Sequence, residues 1–542
     1  MINADLVIMN AKVHTIDSTG TVASVVAVKD EKIVYVGDDA ASVNIVPDNT
    51  RVIDAGGKVV LPGFIDSHSH MLSMAALDGI PISFEMNLEE LLQTIKDYTE
   101  AHPEKESFFG QVYLETVIGE ENYNKETLDK VCPDRPVILL GSTCHESWVN
   151  SKAIEVAGIT KDTPDPLPGE QYFERDADGN PNGRVIDAVP MGMIVDACKP
   201  CDNEMLEKGM EKYFGICNSL GVTAFSDCGV LPPADEELAY AAYDVLREAG
   251  KVTCRVSGST VHTGMTGLDE SIEHLKEMNS RYHDDMICVK TLKLLQDGCY
   301  EGRTSSCFAA YEDGSEYRPP SFEGEEVKNI FVKTTSEGFD IHVHVLGDKA
   351  MFETLEGCIA ARKAGNTDNR LTLAHCHSIR REDIEKFAQY DVVANFTPQW
   401  MVNKEDIITA IGKDRHDDMM RIGTLSRQGA VVTIGSDCPS DELGFELWKG
   451  IEMSMTRRTF GHPDETPLED INEVIDLDTA IKACTINGAY EMGMEDKIGS
   501  IEVGKYADMI ILDTDIYEAD VYSIHDIRPE TTIFNGKVVY EK

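Results

Sequence analysis

The stretch "LPGFIDSHSHM" at residues 61–71 ends an apolar run in two histidines, His68 and His70, one residue apart. If this run is a β-strand, residues i and i+2 point to the same side, so both imidazoles face one direction. Two imidazoles on one side of a strand suit a divalent cation, whereas the same residues in a turn would simply be solvated. The pair alone leaves both interpretations open.

Further short apolar runs follow along the chain, and helical patterns separate them. These strand candidates are residues 221–227, 289–295, 339–348, 370–375, 391–397 and 430–437. Strands that alternate with helices indicate parallel βαβ units and an α/β fold.

Several strand candidates end in polar side chains that can bind a metal. They are His68 and His70, Lys293, His344, His375 and Asp437. His344 precedes His375 by 31 residues, and His375 precedes Asp437 by 62, which leaves room for two βα units. This rhythm favours a (β/α)₈ TIM barrel, whose functional residues lie at the C-terminal ends of its strands.

Both chain ends carry β-branched runs that turn residues interrupt, at 4–17, 22–38 and 50–61 and again at 498–515 and 531–542. Asn535-Gly536 is a strong signal for a two-residue hairpin turn. We therefore predict a small β-sandwich domain formed by 1–61 and 485–542, with the barrel at 62–484. Residues from about 85 to 205 fit the strand–helix rhythm poorly, and 162–184 are dense in Pro, Gly and Asp, so we expect an insertion of loops or a small sheet.

The composition restricts the partners. The 542 residues include 96 acidic and 49 basic ones, a formal net charge of −47. Such a surface repels phosphates, so we expect neither nucleic acid nor an anionic membrane as a partner. No apolar run reaches the roughly 18 residues of a spanning helix. The start "MINADLVIMNAKVHTID" reads as a strand and the 14 cysteines are scattered, so we expect a cytoplasmic protein with reduced thiols.

Several motifs are together specific for one family. They are "LPGFIDSHSH" (61–70), "HESWVNSKAIEVAGI" (145–159), "GVTAFSD" (221–227), "KLLQDGCYEGRTS" (293–305), "HVLGDKA" (344–350), "RLTLAHCHSI" (370–379), "FTPQW" (396–400), "IGSDCP" (434–439) and "GSIEVGKYADMIILD" (499–513). On these motifs the chain resembles the metal-dependent amidohydrolase superfamily over nearly its whole length. Within it, the chain resembles amidohydrolase family 3, the YtcJ-like branch that includes N-substituted formamide deformylase. Ala374 departs from the pattern, because relatives usually carry Glu before the histidine of the sixth strand.

The resemblance implies a distorted (β/α)₈ barrel that binds one or two divalent metal ions, with zinc as the expected metal. The ligands that it implies are His68, His70, Lys293, His344, His375 and Asp437. It further implies N6-carboxylysine at Lys293, since a carbamate is an anionic bridging ligand and an ammonium is a poor one. Lys290 lies three residues earlier, but only Lys293 precedes Asp-Gly at the family spacing.

The resemblance also suggests residues that contact the substrate. His145 and Trp148 lie in a family motif within the insertion, and Asp297, Arg303 and Gln399 are further pocket candidates. Arg303 would suit a carboxylate-bearing substrate, although a structural ion pair explains it equally well. His342 and His377 are the second members of two more His-x-His pairs, and we expect them to support the structure or the ligands.

Hydrolysis of an amide needs only a metal-activated water and one acid–base group, which the resemblance assigns to Asp437. We therefore expect a hydrolase of a non-peptide C–N bond in a small amide, formamide, carbamate or N-acyl compound. A deaminase of a small heterocycle on the same scaffold is one alternative. A non-hydrolytic isomerase or metal-binding homologue is another. A homodimer is implied by family habit alone.

Overall fold

The computed structural model of the protein describes residues 1–46, 49–73, 79–83, 86–113, 118–119, 121–141, 145–168, 171–230, 234–401, 405–439, 446–468 and 471–542. Its centre is a sheet of eight strands in which each strand pairs in parallel with the next along the chain. The strands are β1 (Phe64–Ser69), β2 (Val222–Asp227), β3 (Arg255–His262), β4 (Ile287–Leu295), β5 (Asp340–Val345), β6 (Leu371–His375), β7 (Val393–Phe396) and β8 (Val432–Ile434).

Strand β8 and the residues after it lie against β1 and close the sheet into a barrel. The Asp437 N–H donates to the carbonyl oxygen of His68 at 2.7 Å, and the His70 N–H donates to that of Cys438 at 2.8 Å. Gly435 permits this approach, because a Cβ there would lie only 2.6 Å from the backbone nitrogen of His68. The predicted TIM-barrel fold is confirmed, and its closure brings the first and last predicted ligands together.

Seven of the eight barrel strands coincide with predicted segments, and β3 is the one that the sequence prediction missed. Its sequence "RVSGSTVH" has small polar residues at its centre, so no apolar run marks it. Barrel interiors are usually filled by bulky branched side chains. Here Ser257 and Ser259 of β3 line a polar cavity inside the barrel, and this polar interior removes the hydrophobic signal.

Helices follow the barrel strands and cover the outside of the sheet. Their ranges are Asn203–Leu220, Glu236–Glu248, Leu268–Arg281, Glu325–Ser336, Asp348–Lys363, Ile384–Gln389, Glu405–Ile411, Lys413–Asp417, Ile422–Arg427, Leu447–Thr456, Leu477–Ala483 and Ile486–Glu491. In the first of them, Asp202 caps the N-terminus by accepting the Met205 N–H at 2.8 Å. Leu206 and Met210 then recur four residues apart on its buried face. Among the residues described above, no helix combines the length and the apolar character needed to cross a membrane.

Strands from both chain ends form two mixed sheets. One has the order Lys32–Gly37, Val25–Lys29, Leu6–Met9, Arg51–Asp54, and the other has the order Lys537–Glu541, Pro529–Phe534, Met509–Leu512, Val59–Pro62, Lys12–His14, Val22–Ala23. A short pair, Ile2–Asn3 with Val43–Asn44, lies beside them. Side chains from both larger sheets meet in one apolar cluster, which includes Ile8, Val26, Val60 and Ile511.

The C-terminal hairpin turns where the sequence predicts it. Asn535 and Gly536 both have positive φ, at 48° and 71°, as a tight turn between twisted strands requires. Helix Ile486–Glu491, just after the expected boundary at 485, packs against β1 and β8. The two terminal sheets supply the layers that the predicted sandwich needs, and the division into domains stays a prediction.

The insertion after β1 contains a six-stranded sheet. Its order is Ile80–Pro81, Phe108–Tyr113, Val137–Gly141, Glu146–Val149, Pro181–Ile186, Tyr172–Arg175, and its helices are Leu88–Ala101, Lys125–Asp129, Ser151–Val156 and Ala188–Cys198. Apolar side chains from its strands and helices form two cores of their own. Of the two expectations for 85–205, loops or a small sheet, the structure has the sheet.

Candidate metal centre

Side chains at the C-terminal ends of the barrel strands meet in one buried cluster. Asp437 Oδ1 lies 3.2 Å from His68 Nε2 and 3.4 Å from His70 Nε2. Lys293 Nζ, from β4, lies 3.3 Å from the same His68 Nε2. A carboxylate oxygen and an amine nitrogen therefore face the two imidazoles that β1 delivers.

His344 and His375 add two further imidazoles from β5 and β6. The centroid of the His375 ring lies 4.7 Å from the ring centroids of both His344 and His68. The Nε2 atoms of His344 and His375 are buried and have no hydrogen-bond partner among the described residues. Since a buried polar atom without a partner is costly, these lone pairs fit a metal ion as the missing partner.

The donor atoms are also close enough to share one ion. Among the described residues, ligand atoms of His68, His375 and Asp437 all lie within 4.8 Å of one another. Imidazole nitrogens with a carboxylate oxygen form the donor set that divalent cations such as zinc prefer. The structure thus brings together all six residues that were predicted as ligands.

Burial and the neighbouring groups together determine which of these side chains are charged. Desolvation lowers the pKa of His68 to about 3 and lowers the pKa values of His344 and His375 well below the usual range. Burial opposes ionisation of Asp437, but the neighbouring imidazoles, His68 first among them, hold the pKa of Asp437 well below its usual value. Neutral imidazoles and an ionised carboxylate are the forms that bind cations. Burial also lowers the pKa of Lys293.

The backbone bends sharply where the ligands leave their strands. His375, Cys376 and Asp437 have φ values of 71°, 46° and 53°. Non-glycine residues rarely adopt positive φ, and such strain concentrates at functional sites, where the surrounding structure enforces it. The two strand ends therefore aim their side chains at the cluster against local backbone preference.

Trp400 holds the His375 ring in place. The indole stacks on the imidazole with a centroid distance of 4.6 Å and an angle of 15°, and His375 Nδ1 lies 3.1 Å from the Thr397 hydroxyl. Contacts of this kind orient a ligating histidine and fix its tautomer. The "FTPQW" motif predicts Gln399 as a pocket residue but gives no role to its neighbour Trp400.

Backbone groups support the β1 side of the cluster. His70 Nδ1 lies 2.8 Å from the carbonyl oxygen of Gly229, so Nδ1 carries the proton and the Nε2 lone pair faces Asp437. Asp66 accepts the Ser436 N–H at 2.8 Å and the Ser436 hydroxyl at 2.5 Å. Burial raises the pKa of Asp66 to about 7. These bonds fix β1 against the segment that carries Asp437.

His145 reaches the cluster from the insertion. Its ring centroid lies 5.9 Å from that of His344, and its Nδ1 lies 3.4 Å from Asp187 Oδ2. Burial works to lower the pKa of His145, but the Asp187 carboxylate outweighs burial and raises it overall. Asp187, which the sequence analysis missed, lies 42 residues away in the chain, and no motif joined the two.

Trp148 lies in the apolar core of the insertion. This side chain is fully buried, its N–H donates to the carbonyl oxygen of Asn124 at 2.9 Å, and its ring contacts those of Tyr113 and Tyr123. Alternate residues of the strand Glu146–Val149 face opposite sides, and Trp148 faces the core of the insertion. Its only polar side-chain atom donates within the insertion, so these contacts stabilise the insertion, and a contact of Trp148 with the substrate stays a prediction.

Asp297 holds loops around the site. One of its carboxylate oxygens accepts the Leu346 N–H at 2.9 Å, and the other accepts those of Gly347 and Ser306 at 2.8 and 2.9 Å. Burial nevertheless raises the pKa of Asp297 to about 7. Both oxygens accept from backbone N–H groups, so these contacts stabilise the loops, and a contact of Asp297 with the substrate stays a prediction.

Arg303 and Gln399, the remaining pocket candidates, differ in their surroundings. Arg303 Nε donates to Asp313 Oδ2 at 2.7 Å near the surface, which is the structural ion pair that was one of the two expectations. Gln399 is buried, and its Nε2 donates to the carbonyl oxygen of Glu446 at 3.5 Å. Its Oε1 has no hydrogen-bond partner within the described part of the chain.

The two extra histidines have different neighbours. His342 Nε2 lies 2.9 Å from His68 Nδ1 and 3.5 Å from Cys228 Sγ, and ligand atoms of these three residues lie within 4.8 Å of one another. His377 instead contacts the rings of Tyr300 and Trp400. His342 therefore touches a predicted ligand directly.

A parallel eight-stranded barrel with N and O donors at its strand ends is an architecture that the class of metal-dependent barrel hydrolases uses. The sequence profile of the amidohydrolase family matches residues 51–540. The chain belongs to the amidohydrolase family and is an enzyme of this class, which acts on carbon–nitrogen bonds other than peptide bonds.

Known proteins similar to this chain cover most of its length. The exoenzymes regulatory protein AepA of Pectobacterium carotovorum subsp. carotovorum is 30% identical over 440 residues, 79% of this chain and 93% of AepA. The N-substituted formamide deformylase of Arthrobacter pascens is 26% identical over 99% of this chain and 98% of its own. A metal-dependent hydrolase from Pyrococcus horikoshii shares the fold, with a TM-score of 0.73 and 20% identity over 95% of this chain and 99% of its own.

Proposed function

We propose that the protein hydrolyses a non-peptide C–N bond in a small amide, formamide, carbamate or N-acyl compound. The observation that carries this proposal is the cluster of His68, His344, His375 and Asp437, in which two buried imidazole nitrogens have no partner among the described residues. The similarity to a formamide deformylase over nearly the whole chain supports the same bond type.

We assign one or two divalent ions, with zinc as the expected metal, to this cluster. His68 and His70 would hold it from β1, His344 and His375 from β5 and β6, and Asp437 from the segment after β8. Lys293, buried against His68, would join as an N6-carboxylated anionic ligand. When bound, the ion would polarise a carbonyl group and acidify water.

Asp437 is placed to move the proton. Its Oδ1 contacts two imidazoles at 3.2 and 3.4 Å, and its low pKa keeps it ionised and able to accept a proton from water. The same carboxyl group would then donate that proton to the departing nitrogen, so that the amine leaves neutral. No Ser or Cys nucleophile is required for this sequence of transfers.

His145 would bind the substrate from the side of the insertion. Its ring lies beside His344, and the Asp187 carboxylate fixes its Nδ1. Its Nε2 would donate to, or accept from, a polar group of the substrate. A residue held by a buried carboxylate provides orientation as well as a hydrogen bond.

The proposal is tested with protein that has been loaded with zinc and assayed on a panel of N-formyl, N-acetyl and N-carbamoyl amines and aminated heterocycles. We expect release of a substituted amine together with formate or another carboxylic acid. Release of ammonia from the heterocycles would instead indicate a deaminase. A zinc-loaded protein that is inert to the whole panel would contradict both activities and favour an isomerase or a binding protein.

A further inference from the structure

The imidazole of His68 has contacts at both of its nitrogens. Nε2 faces Asp437 Oδ1 and Lys293 Nζ at 3.2 and 3.3 Å, whereas Nδ1 lies 2.9 Å from Nε2 of His342. A neutral imidazole has one N–H and one lone pair. If the Nε2 lone pair binds a cation, the proton must lie on Nδ1, and Nδ1 must be the donor in the bond to His342.

This direction determines the protonation of His342. Its Nε2 accepts from His68, so its own proton lies on Nδ1, which is 3.4 Å from Glu491 Oε1. Glu491 Oε1 is buried and has no hydrogen-bond partner among the described residues, while Oε2 accepts from the Thr433 hydroxyl at 2.6 Å. The Nδ1–H of His342 is therefore the donor that faces the remaining acceptor of Glu491.

We infer that Glu491 and His342 are positioning residues that hold His68 in the tautomer and orientation in which Nε2 binds the metal. Glu491 lies at the end of helix Ile486–Glu491, which packs against β1 and β8. The contacts from Glu491 through His342 to His68 therefore connect this helix to the proposed metal centre. Partners of this kind typically change metal affinity 10- to 100-fold. The inference rests on the proposed metal site and adds two residues to it.

The other reading of the same residues is a cation site formed by His68, Cys228 and His342. Two nitrogens bound to one tetrahedral zinc ion at the usual bond lengths lie about 3.3 Å apart. His68 Nδ1 and His342 Nε2 are only 2.9 Å apart, which is a typical N–H···N hydrogen-bond distance. The distance therefore favours the hydrogen bond, and Cys228 provides a matched control variant.

The residues to be substituted lie around a small cavity in the barrel interior. His342, Cys228 and Glu491 line this cavity of about 20 Å³ together with Ser257 and Thr372. Because it is small, the variants below roughly keep or reduce the volume of the side chain that they replace.

The test measures the affinity for Zn²⁺ of the full chain after removal of metal, by competition with a chromophoric chelator. The variants are His342→Leu, His342→Gln, Glu491→Gln and Cys228→Ala, each checked by circular dichroism and thermal melting. We expect His342→Leu to weaken zinc binding 10- to 100-fold and Glu491→Gln to weaken it several-fold. His342→Gln should restore most of the affinity, because an amide can accept from His68 and donate to Glu491. Cys228→Ala should bind like the parent protein.

A merely structural role for His342 would not distinguish Gln from Leu, so equal losses in both variants would overturn the inference. It would also be overturned if His342→Leu bound zinc like the parent, or if Cys228→Ala lost as much affinity as His342→Leu. Should His342→Leu fail to fold, the comparison of His342→Gln with Glu491→Gln decides, and parent-like affinity in Glu491→Gln would refute the role of the carboxyl group. Failure of the parent chain to bind Zn²⁺ would contradict the proposed function itself, a different result from all of these.

Discussion

The metal centre and the sheet of the insertion both bury polar side chains, but the hydrogen bonding of these side chains differs between the two regions. In the insertion, Asn150 accepts the N–H groups of Val137 and Ala153 and donates to the carbonyl oxygens of Cys132 and Arg135, all within 3.1 Å. At the strand ends of the barrel, His344 and His375 each turn a buried nitrogen toward the other ligands with no partner among the described residues.

This difference distinguishes polar residues that stabilise the fold from polar residues that are available to bind a ligand. Burial with complete hydrogen bonding stabilises a fold, whereas burial with unmet lone pairs has to be offset by something that binds. The motif "HESWVN" contains both kinds of residue, since His145 faces the metal centre and Asn150 and Trp148 face the interior of the insertion.

Among the variants of the metal centre and the insertion, we expect the largest loss of activity for substitution of Asp437. We expect Asp437→Asn to retain metal and lose about 10²- to 10⁴-fold in kcat, because the amide cannot accept the proton from water. Turnover is measured with the substrate that the panel identifies, and metal content by elemental analysis. Near-normal turnover in this variant would show that another group is the base.

A second test removes Lys293. We expect Lys293→Ala to bind less metal, with partial rescue of metal content by acetate or propionate, since a short carboxylate can replace the lost anionic ligand. Lys290→Ala is the matched control, because Lys290 lies on the same strand but pairs with Asp340 at 2.8 Å. An unchanged metal stoichiometry in Lys293→Ala would remove this residue from the ligands.

A smaller loss of activity is expected for substitution of Asp187, which lies between the insertion and the metal centre. Asp187→Asn keeps the oxygen that accepts the Ala188 N–H at 2.7 Å but loses the charged partner of His145. We expect kcat/KM to fall about 10-fold, the size of one lost charge-assisted hydrogen bond, with metal content unchanged.

Asp202→Asn is the matched control for Asp187→Asn, because Asp202 caps a helix in the same way by accepting the Met205 N–H. It should leave kcat/KM unaltered. Equal kcat/KM values in both variants would argue against the role of Asp187 in positioning His145.

The smallest effect on activity is expected for Trp148. Trp148→Phe removes the N–H that donates to Asn124 and should cost about 1–3 kcal/mol of stability, the penalty for a buried acceptor without its partner. Calorimetry should show a lower Tm, while kcat/KM per folded molecule stays at the parent value. A fall in kcat/KM with an unchanged Tm would instead indicate that the indole contacts the substrate.

Much of the barrel could be predicted because its strands are apolar runs that end in ligands. Strand β3 could not, because Ser257 and Ser259 interrupt the run where the barrel interior is polar. Trp400, Asp187 and Glu491 could not be assigned roles either. Each acts through a partner distant in sequence, His375, His145 and His342 respectively, and periodicity reports only on neighbours along the chain.

Strand periodicity and βα spacing were enough to predict the barrel, seven of its strands and six polar residues at strand ends, because these patterns place side chains along a barrel. The class of chemistry came from the family motifs. Which polar groups have hydrogen-bond partners became visible in the folded protein alone. There, Trp148 and Asp297 bond to backbone groups, and His342 lies between Glu491 and His68. The physical reason is that a hydrogen bond depends on distances of a few tenths of an ångström between segments that only folding brings together.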